Sequence, residues 1–311
     1  MVRIAYVGLC GVDASLYKGT STYIHTGAKT YPFVFGHEWS GTIVEVGAGV
    51  KELAPGNRVV GHNFITCDVC SQCRRGHRVN CARRIEVGVL GDSPGAASQY
   101  FSVPAKVLAH IPDELSDLEA ALLEPGATAL HAVERVGVIE SDNVVIFGTG
   151  TVGLIALQIC RAFGATVDVV GIDPAGLELA LSMGARSALR PDSVTPDTYS
   201  VAIEASGAPN VAATIPGAIC DGGRVSLVGV PNSPVPSFPV APLVLKNATI
   251  HAVLSGIDHW DRLIGLVARG SVLLKPLVEN TFQPHQATDA FNALLSPNKK
   301  RPKVLIDFTT H

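Results

Sequence analysis

Residues 143–153 read NVVIFGTGTVG, and no other stretch of the chain restricts its fold as tightly. An apolar run, NVVIF, ends in G-x-G-x-x-G at Gly148, Gly150 and Gly153. LIALQICRAFGA follows, with Leu154, Leu157 and Arg161 at helical spacing. The order is strand, tight turn, helix. The first glycine permits the turn, the second lets backbone approach a pyrophosphate, and the third allows close helix–strand packing. The helix N-terminus then faces the phosphates. Alone, this pattern is a weak signal. Here VDVVGID follows as a second strand that ends in Asp173, twenty residues after Gly153. A carboxylate there can accept hydrogen bonds from the hydroxyls of an adenosine ribose. YSVAIEASG, GRVSLVGVP and ATIHAVL read as further strands between helix-compatible segments. The alternation predicts an α/β fold with a doubly wound parallel sheet of the Rossmann type.

The flanking regions differ in texture. Before about residue 120 the chain is rich in Gly and Pro, with short runs such as GTIVEVG and NRVVGH and little helical periodicity. That predicts an irregular antiparallel β domain. From about residue 256 a helix-like WDRLIGLVARG precedes a strand-like RPKVLIDF. A length of 311 residues leaves room for two domains. The net charge of −3 offers no electrostatic case for nucleic acid or an acidic membrane surface. The apolar, uncharged run at residues 144–160 is broken by three glycines and two threonines. It falls short of the roughly 20 apolar residues of a membrane span. MVRIAYVGLC lacks the pattern of a signal peptide. The expected compartment is the reducing cytoplasm, where structural disulfides are rare.

Residues 67–81, CDVCSQCRRGHRVNC, hold four of the seven cysteines. Cys67, Cys70, Cys73 and Cys81 follow C-x2-C-x2-C-x7-C. Thiolates two residues apart in a tight turn reach one tetrahedral ion, and a fourth closes the shell. A zinc held this way has no open position and is structural. Arg74, Arg75 and Arg78 are expected to offset the excess negative charge. The alternatives are a redox C-x-x-C or free surface thiols.

A second donor set is dispersed. GLCGVD places Cys10 among glycines, FGHEWSG places His37 beside Glu38, and LLEPGATALHAV places Glu124 before a proline. Singly, these read as a buried thiol, a satisfied histidine and a solvated helix start. Together they are the mixed donor set that a catalytic zinc takes, with a fourth position left for substrate or water.

GLCGVD, GHEWSGTIVEVG, the cysteine loop, LLEP and GTGTVG occur in the order found in zinc-dependent medium-chain alcohol dehydrogenases. The chain resembles that family over essentially its whole length. It is most similar to the polyol and sorbitol/threonine dehydrogenase branch, which has Glu at the LLEP position. YKG, GHEWSG and ALLEPGATALHAV also resemble aminocyclitol-pathway dehydrogenases acting on cyclic amino-alcohols. The resemblance implies a GroES-like β domain (1–122), a Rossmann domain (123–255) and a return to the first domain (256–311), with the active site in the cleft between them. It implies that Cys10 and His37 ligate catalytic zinc and that Glu124 takes the third-ligand position or holds a water there. Glu38 becomes a direct or exchangeable ligand, and Thr128 and Val152 pack against the nicotinamide. The expected reaction is hydride transfer from a secondary alcohol (a polyol, cyclitol or amino-alcohol) to NAD(P), with zinc acting as a Lewis acid. Two zincs per chain and a homodimer or homotetramer are expected. NAD is expected over NADP, because Asp173 would repel a 2′-phosphate and VVGIDPAGLELA holds no Arg or Lys.

Three positions depart from the family pattern. The chain starts inside what resembles the family's VRVAYVGLCG strand, so an exposed sheet edge is expected where the opening hairpin is missing. Val12 stands where the family has the Ser or Thr of a proton relay, and Ser15 where it often has His. The ribose-binding acid falls at Ile172 by counting from Gly153 and at Asp173 by strand end. With the relay gone, the proton is expected to leave through Glu124 rather than Glu38, Ser15 or a neighbouring substrate hydroxyl. A catalytically silent or redox-sensing relative that keeps the fold and structural zinc is the alternative. A zinc-ribbon nucleic-acid binder is opposed by the lack of a basic face or aromatic stacking set.

Overall fold

A computed structural model describes residues 1–231 and 237–310. Residues 143–252 supply a six-stranded sheet in the order Ser187–Leu189, Thr166–Val170, Asn143–Phe147, Tyr199–Glu204, Ile219–Leu227, Thr249–Ala252. Every pairing in it is parallel. Val144 through Ile146 are fully buried because helices cover both faces, so the strand reads as a continuous apolar run rather than an alternation. Strand order reverses at Asn143–Phe147, and a crevice opens there beyond the carboxyl ends of the strands.

The glycine turn sits at that point. Gly148 has φ +117°, a conformation other residues rarely adopt. A Cβ on Gly153 would lie 2.1 Å from the Gly148 carbonyl oxygen, so the third glycine lets helix Thr151–Ala162 close onto the turn. The strand read from VDVVGID stops at Val170 rather than Asp173. Asp173 instead caps helix Pro174–Ser182, its carboxylate accepting from the Ala175 and Gly176 amides at 3.2 and 3.3 Å. Aspartate followed by proline at the first helical position is a helix start, and that local preference ends the strand early.

The second sheet has seven strands. Val278–Phe282, Lys303–Asp307, Val2–Leu9, Glu38–Ile43, Arg58–Gly61 and Leu108–His110 lie in that order, and Tyr100–Phe101 also pairs with Val2–Leu9. It is antiparallel except where Val278–Phe282 runs parallel to Lys303–Asp307. The end of the chain thus lies beside its beginning. Val2–Leu9 is flanked by Lys303–Asp307 on one side and Glu38–Ile43 on the other, so the edge expected at this strand lies elsewhere in the sheet. The region also holds short helices that periodicity does not reveal, among them Gly11–Tyr17 and Ser71–Arg74. One apolar core runs from Val60 of this sheet through Leu123 and Leu130 to Ile146 of the other, and it fixes the two sheets against each other.

Candidate active site and metal centres

The four cysteines of the lobe converge. Their sulfurs all lie within 4.8 Å of one another, with Cys67–Cys81 and Cys70–Cys73 at 3.5 Å. Tetrahedral zinc with thiolate bonds of about 2.3 Å sets sulfurs about 3.8 Å apart, so the cluster has the size of a zinc site. The Val69 amide draws the Cys67 thiol down to about 6, whereas burial, then neighbouring thiols, push Cys73 up to about 12. Four thiolates this close repel one another and need a central cation. Arg78 does not serve as the expected counter-charge. Its Nε donates to the Asp258 carboxylate at 2.7 Å, tying the lobe to the segment after the parallel sheet.

Cys10 caps helix Gly11–Tyr17, where its sulfur accepts the Val12 amide at 3.2 Å. Its Sγ lies 3.1 Å from His37 Nε2. The other ring nitrogen, Nδ1, lies 3.5 Å from the buried Asp13 carboxylate. Neither of those two atoms has a hydrogen-bond partner among the described residues, so each is the other's counterpart. Asp13 also accepts the Cys10 amide at 3.0 Å and so positions both the thiol and the imidazole. Burial opposes charge on His37, but Cys10 and Asp13 outweigh it and raise its pKa well above the usual value.

Glu38 opens strand Glu38–Ile43 opposite Gly8, where a side chain would lie 2.4 Å from the Glu38 carboxylate. Lys303, 2% exposed on the last strand, donates to Glu38 at 2.6 Å and to the Leu9 carbonyl at 3.1 Å. Glu124 is the second residue of helix Leu123–Arg135 and is buried, not the solvated start that its local sequence suggests. Desolvation dominates there; His37 opposes it, Glu38 and Glu86 reinforce it, and the carboxyl rises to about 8. Cys10, Asp13 and His37 form one potential metal set, and His37, Glu38 and Glu124 form another. The two sets share His37, which meets Cys10 in one and Glu38 and Glu124 in the other. A half-buried thiol with a buried imidazole and two buried carboxylates, offset by one lysine, fits a divalent zinc.

Asp13 and Lys303 escape sequence reading. Asp13 carried one signal, its place three residues after a helix cap. Lys303 carried another, a charge heading the apolar strand KVLI.

The crevice suits a dinucleotide. No side chain caps helix Thr151–Ala162, which leaves its first amides for a ligand, and a Cβ on Gly150 would meet nothing within 4 Å. Val152 is half-buried in the first turn. Thr128 is half-buried, and Gly256 packs on the Ala127 and Thr128 backbone. There Ser255 bonds Asn63 of the other domain at 3.2 Å. Beyond the end of strand Thr166–Val170, Ile172 is 74% exposed, and the Arg190 guanidinium bonds its carbonyl beside Asp173. Arg190 arrives from the end of the next strand, so its absence from the VVGID stretch was no guide to its place.

Two family models match the chain, an alcohol dehydrogenase GroES-like domain at residues 1–113 and a zinc-binding dehydrogenase at residues 151–269. An L-threonine 3-dehydrogenase from Paraburkholderia phytofirmans is 31% identical over 99% of this chain and 91% of its own length. A zinc-binding dehydrogenase from Sinorhizobium meliloti 1021, solved bound to NADP, superposes with a TM-score of 0.88 at 26% identity, covering 98% of this chain and 91% of that one. 2R,3R-butanediol dehydrogenase from Bacillus subtilis gives 0.87 at 26% identity, with the same coverage.

Proposed function

Because the chain belongs to the zinc-dependent medium-chain alcohol dehydrogenases, we propose that it oxidises a secondary alcohol carrying neighbouring polar groups, a polyol, cyclitol or amino-alcohol, with NAD. The convergence of Cys10, His37, Glu38 and Glu124 carries this reading. Cys10 and His37 would hold a catalytic zinc, Glu124 would take the third-ligand position or hold a water there, Glu38 would be a direct or exchangeable ligand, and the cysteine lobe would hold a second zinc. Bound zinc supplies a Lewis acid for the alcohol oxygen, and NAD supplies the hydride acceptor.

The protein's own part is positioning and proton handling. Asp13 turns His37 so that Nε2 faces Cys10. Lys303 neutralises Glu38. Val12 cannot relay a proton, and the Ser15 hydroxyl is spent on the Val12 carbonyl at 2.8 Å. Glu124 remains as the base that takes the alcohol proton. Gly148, Gly150 and Gly153 shape the turn that brings the first amides of helix Thr151–Ala162 to the pyrophosphate, while Thr128 and Val152 wall the nicotinamide. Asp173 receives the ribose and repels a 2′-phosphate, with Arg190 offsetting part of that repulsion. We divide the chain into a GroES-like domain at 1–122, a dinucleotide-binding domain at 123–255 and a return to the first at 256–311. We place the enzyme in the cytoplasm as a homodimer or homotetramer. The relatives that act on threonine and butanediol, each with a hydroxyl beside another polar group, support this substrate class.

A panel of polyols, cyclitols, amino-alcohols and simple alcohols, followed by NADH absorbance, tests the reading. Turnover is expected with one of the first three classes, with higher kcat/KM for NAD than for NADP and two zincs per chain by elemental analysis. Absence of turnover from zinc-replete protein would overturn it in favour of a silent relative.

A further inference from the structure

Among the described residues, four that are not glycine have a positive φ: Asp68, Asp197, Asn247 and Ser255. Asp and Asn tolerate that backbone. Ser255, at φ +56°, is the exception. It is 6% exposed and lies in the segment that leaves the last strand of the parallel sheet, Thr249–Ala252. A buried serine in this conformation is strained, and such strain persists only where the surrounding contacts dictate it.

Those contacts come from both domains. His131 Nδ1, on helix Leu123–Arg135, donates to the Ser255 carbonyl at 2.6 Å. Gly256 lies so close to the same helix that a Cβ on it would stand 2.0 Å from the Ala127 carbonyl oxygen. On the other side, the Ser255 hydroxyl donates to Asn63 Oδ1 at 3.2 Å. Asn63 is 5% exposed, belongs to the antiparallel domain and is itself fixed, its carbonyl accepting the Val87 amide at 2.9 Å. Ala127 follows Glu124 by about one turn of the helix, so this contact sits close to the donor set.

The position matters for the reaction. Cys10, His37 and Glu38 are carried by the antiparallel domain, and the glycine turn by the parallel sheet. Hydride transfer needs the carbinol on one side and the nicotinamide on the other in one fixed geometry, and a small misplacement is costly. A hydrogen bond between two buried side chains fixes that geometry more sharply than apolar packing, because it is directional and a buried donor without its acceptor is penalised. The Arg78–Asp258 pair nearby is more than a third exposed and constrains the domains less.

We propose that Ser255 is a positioning residue for hydride transfer. Its strained turn aims the hydroxyl at Asn63 and holds the cofactor side of the cleft in register with the metal side. Glycine would adopt the turn without strain but would lose the hydroxyl. The proposal rests on the dehydrogenase reading and adds a residue to it.

The test uses zinc-replete wild type, Ser255→Gly, Ser255→Ala, Asn63→Ala and the Ser255→Gly/Asn63→Ala double variant. Thermal midpoint, NAD affinity by calorimetry and kcat with 2,3-butanediol are measured on each. Ser255→Gly should melt higher than Ser255→Ala, since both lack the hydroxyl and only glycine relieves the backbone. Both should nevertheless bind NAD about 10-fold more weakly, because a freed segment must be ordered when the cofactor binds, and kcat should fall by about 10-fold. The double variant should lose no more than Ser255→Gly, since one hydrogen bond cannot be removed twice. A merely structural serine predicts the opposite order, with activity following the thermal midpoint. Wild-type NAD affinity and kcat in Ser255→Gly would overturn the proposal, and so would additive losses in the double variant. Should wild type leave butanediol unoxidised, that bears on the dehydrogenase reading, and NAD affinity set against thermal midpoint decides the Ser255 assignment alone.

Discussion

Glu124 shows how far a residue's surroundings override its local sequence. A glutamate before a proline at a helix start suits solvent, yet this one is buried beside His37 and Glu38. If it accepts the alcohol proton, Glu124→Gln should lower kcat by about 10²-fold or more while zinc is retained. Ser15→Ala should cost little and Val12→Ser should bring no large gain, all by steady-state kinetics with metal analysis. A large loss in Ser15→Ala beside a near-normal Glu124→Gln would reverse the assignment. Metal removal gives a second test. Glu124 rises from 4.5 to about 8 in the metal-free fold, so folding favours its protonated form. That stability is full below its unfolded pKa and is lost as pH climbs through the folded one. His37, also raised, acts in the same direction, whereas lowered Asp13 matters only at more acid pH. The thermal midpoint of metal-free wild type, taken relative to metal-free Glu124→Gln, should therefore fall as pH rises from about 4.5 to about 8, because His62 and His259, lowered to about 4, act the other way in both proteins and cancel in the comparison. Zinc-loaded protein should hold more steady across that interval, and equal slopes would count against metal binding at this cluster.

At the scale of elements, the glycine turn separates packing from binding. Gly153 and Gly150 stand three residues apart and read alike in sequence. A methyl group on Gly153 would collide with the Gly148 carbonyl, whereas one on Gly150 would project into open space. Gly153→Ala should accordingly destabilise the cofactor-free protein, by about 1–3 kcal/mol for an overpacked site. Gly150→Ala should leave the cofactor-free thermal midpoint nearly unchanged and weaken NAD affinity measured by calorimetry. If the two variants behave alike, the crevice is not where the pyrophosphate binds. Strands and this turn were legible because apolar runs and glycine spacing act over a few residues. Helix Gly11–Tyr17 was not: it spans seven residues, and its cap is a cysteine rather than Ser, Thr, Asp or Asn.

The whole molecule assigns its two donor sets to different work. A four-thiolate zinc contributes folding free energy, so Cys67→Ser should mainly lower the thermal midpoint. His37→Ala should abolish turnover with the fold near normal, and identical thermal and kinetic phenotypes would refute the division. The sequence by itself determined the parallel sheet, the glycine turn and the compact cysteine lobe. Each rests on periodicity, or on ligands within fifteen residues of one another, where chain geometry alone brings the groups together. It also named the donor types at Cys10, His37, Glu38 and Glu124, through their order along the chain. Only the tertiary structure decided what surrounds them. Lys303 reaches Glu38 across 265 residues of chain, and Arg78 reaches Asp258 across 180. A buried charge takes its partner from whatever the packed core carries to it, and no spacing along the chain encodes that choice.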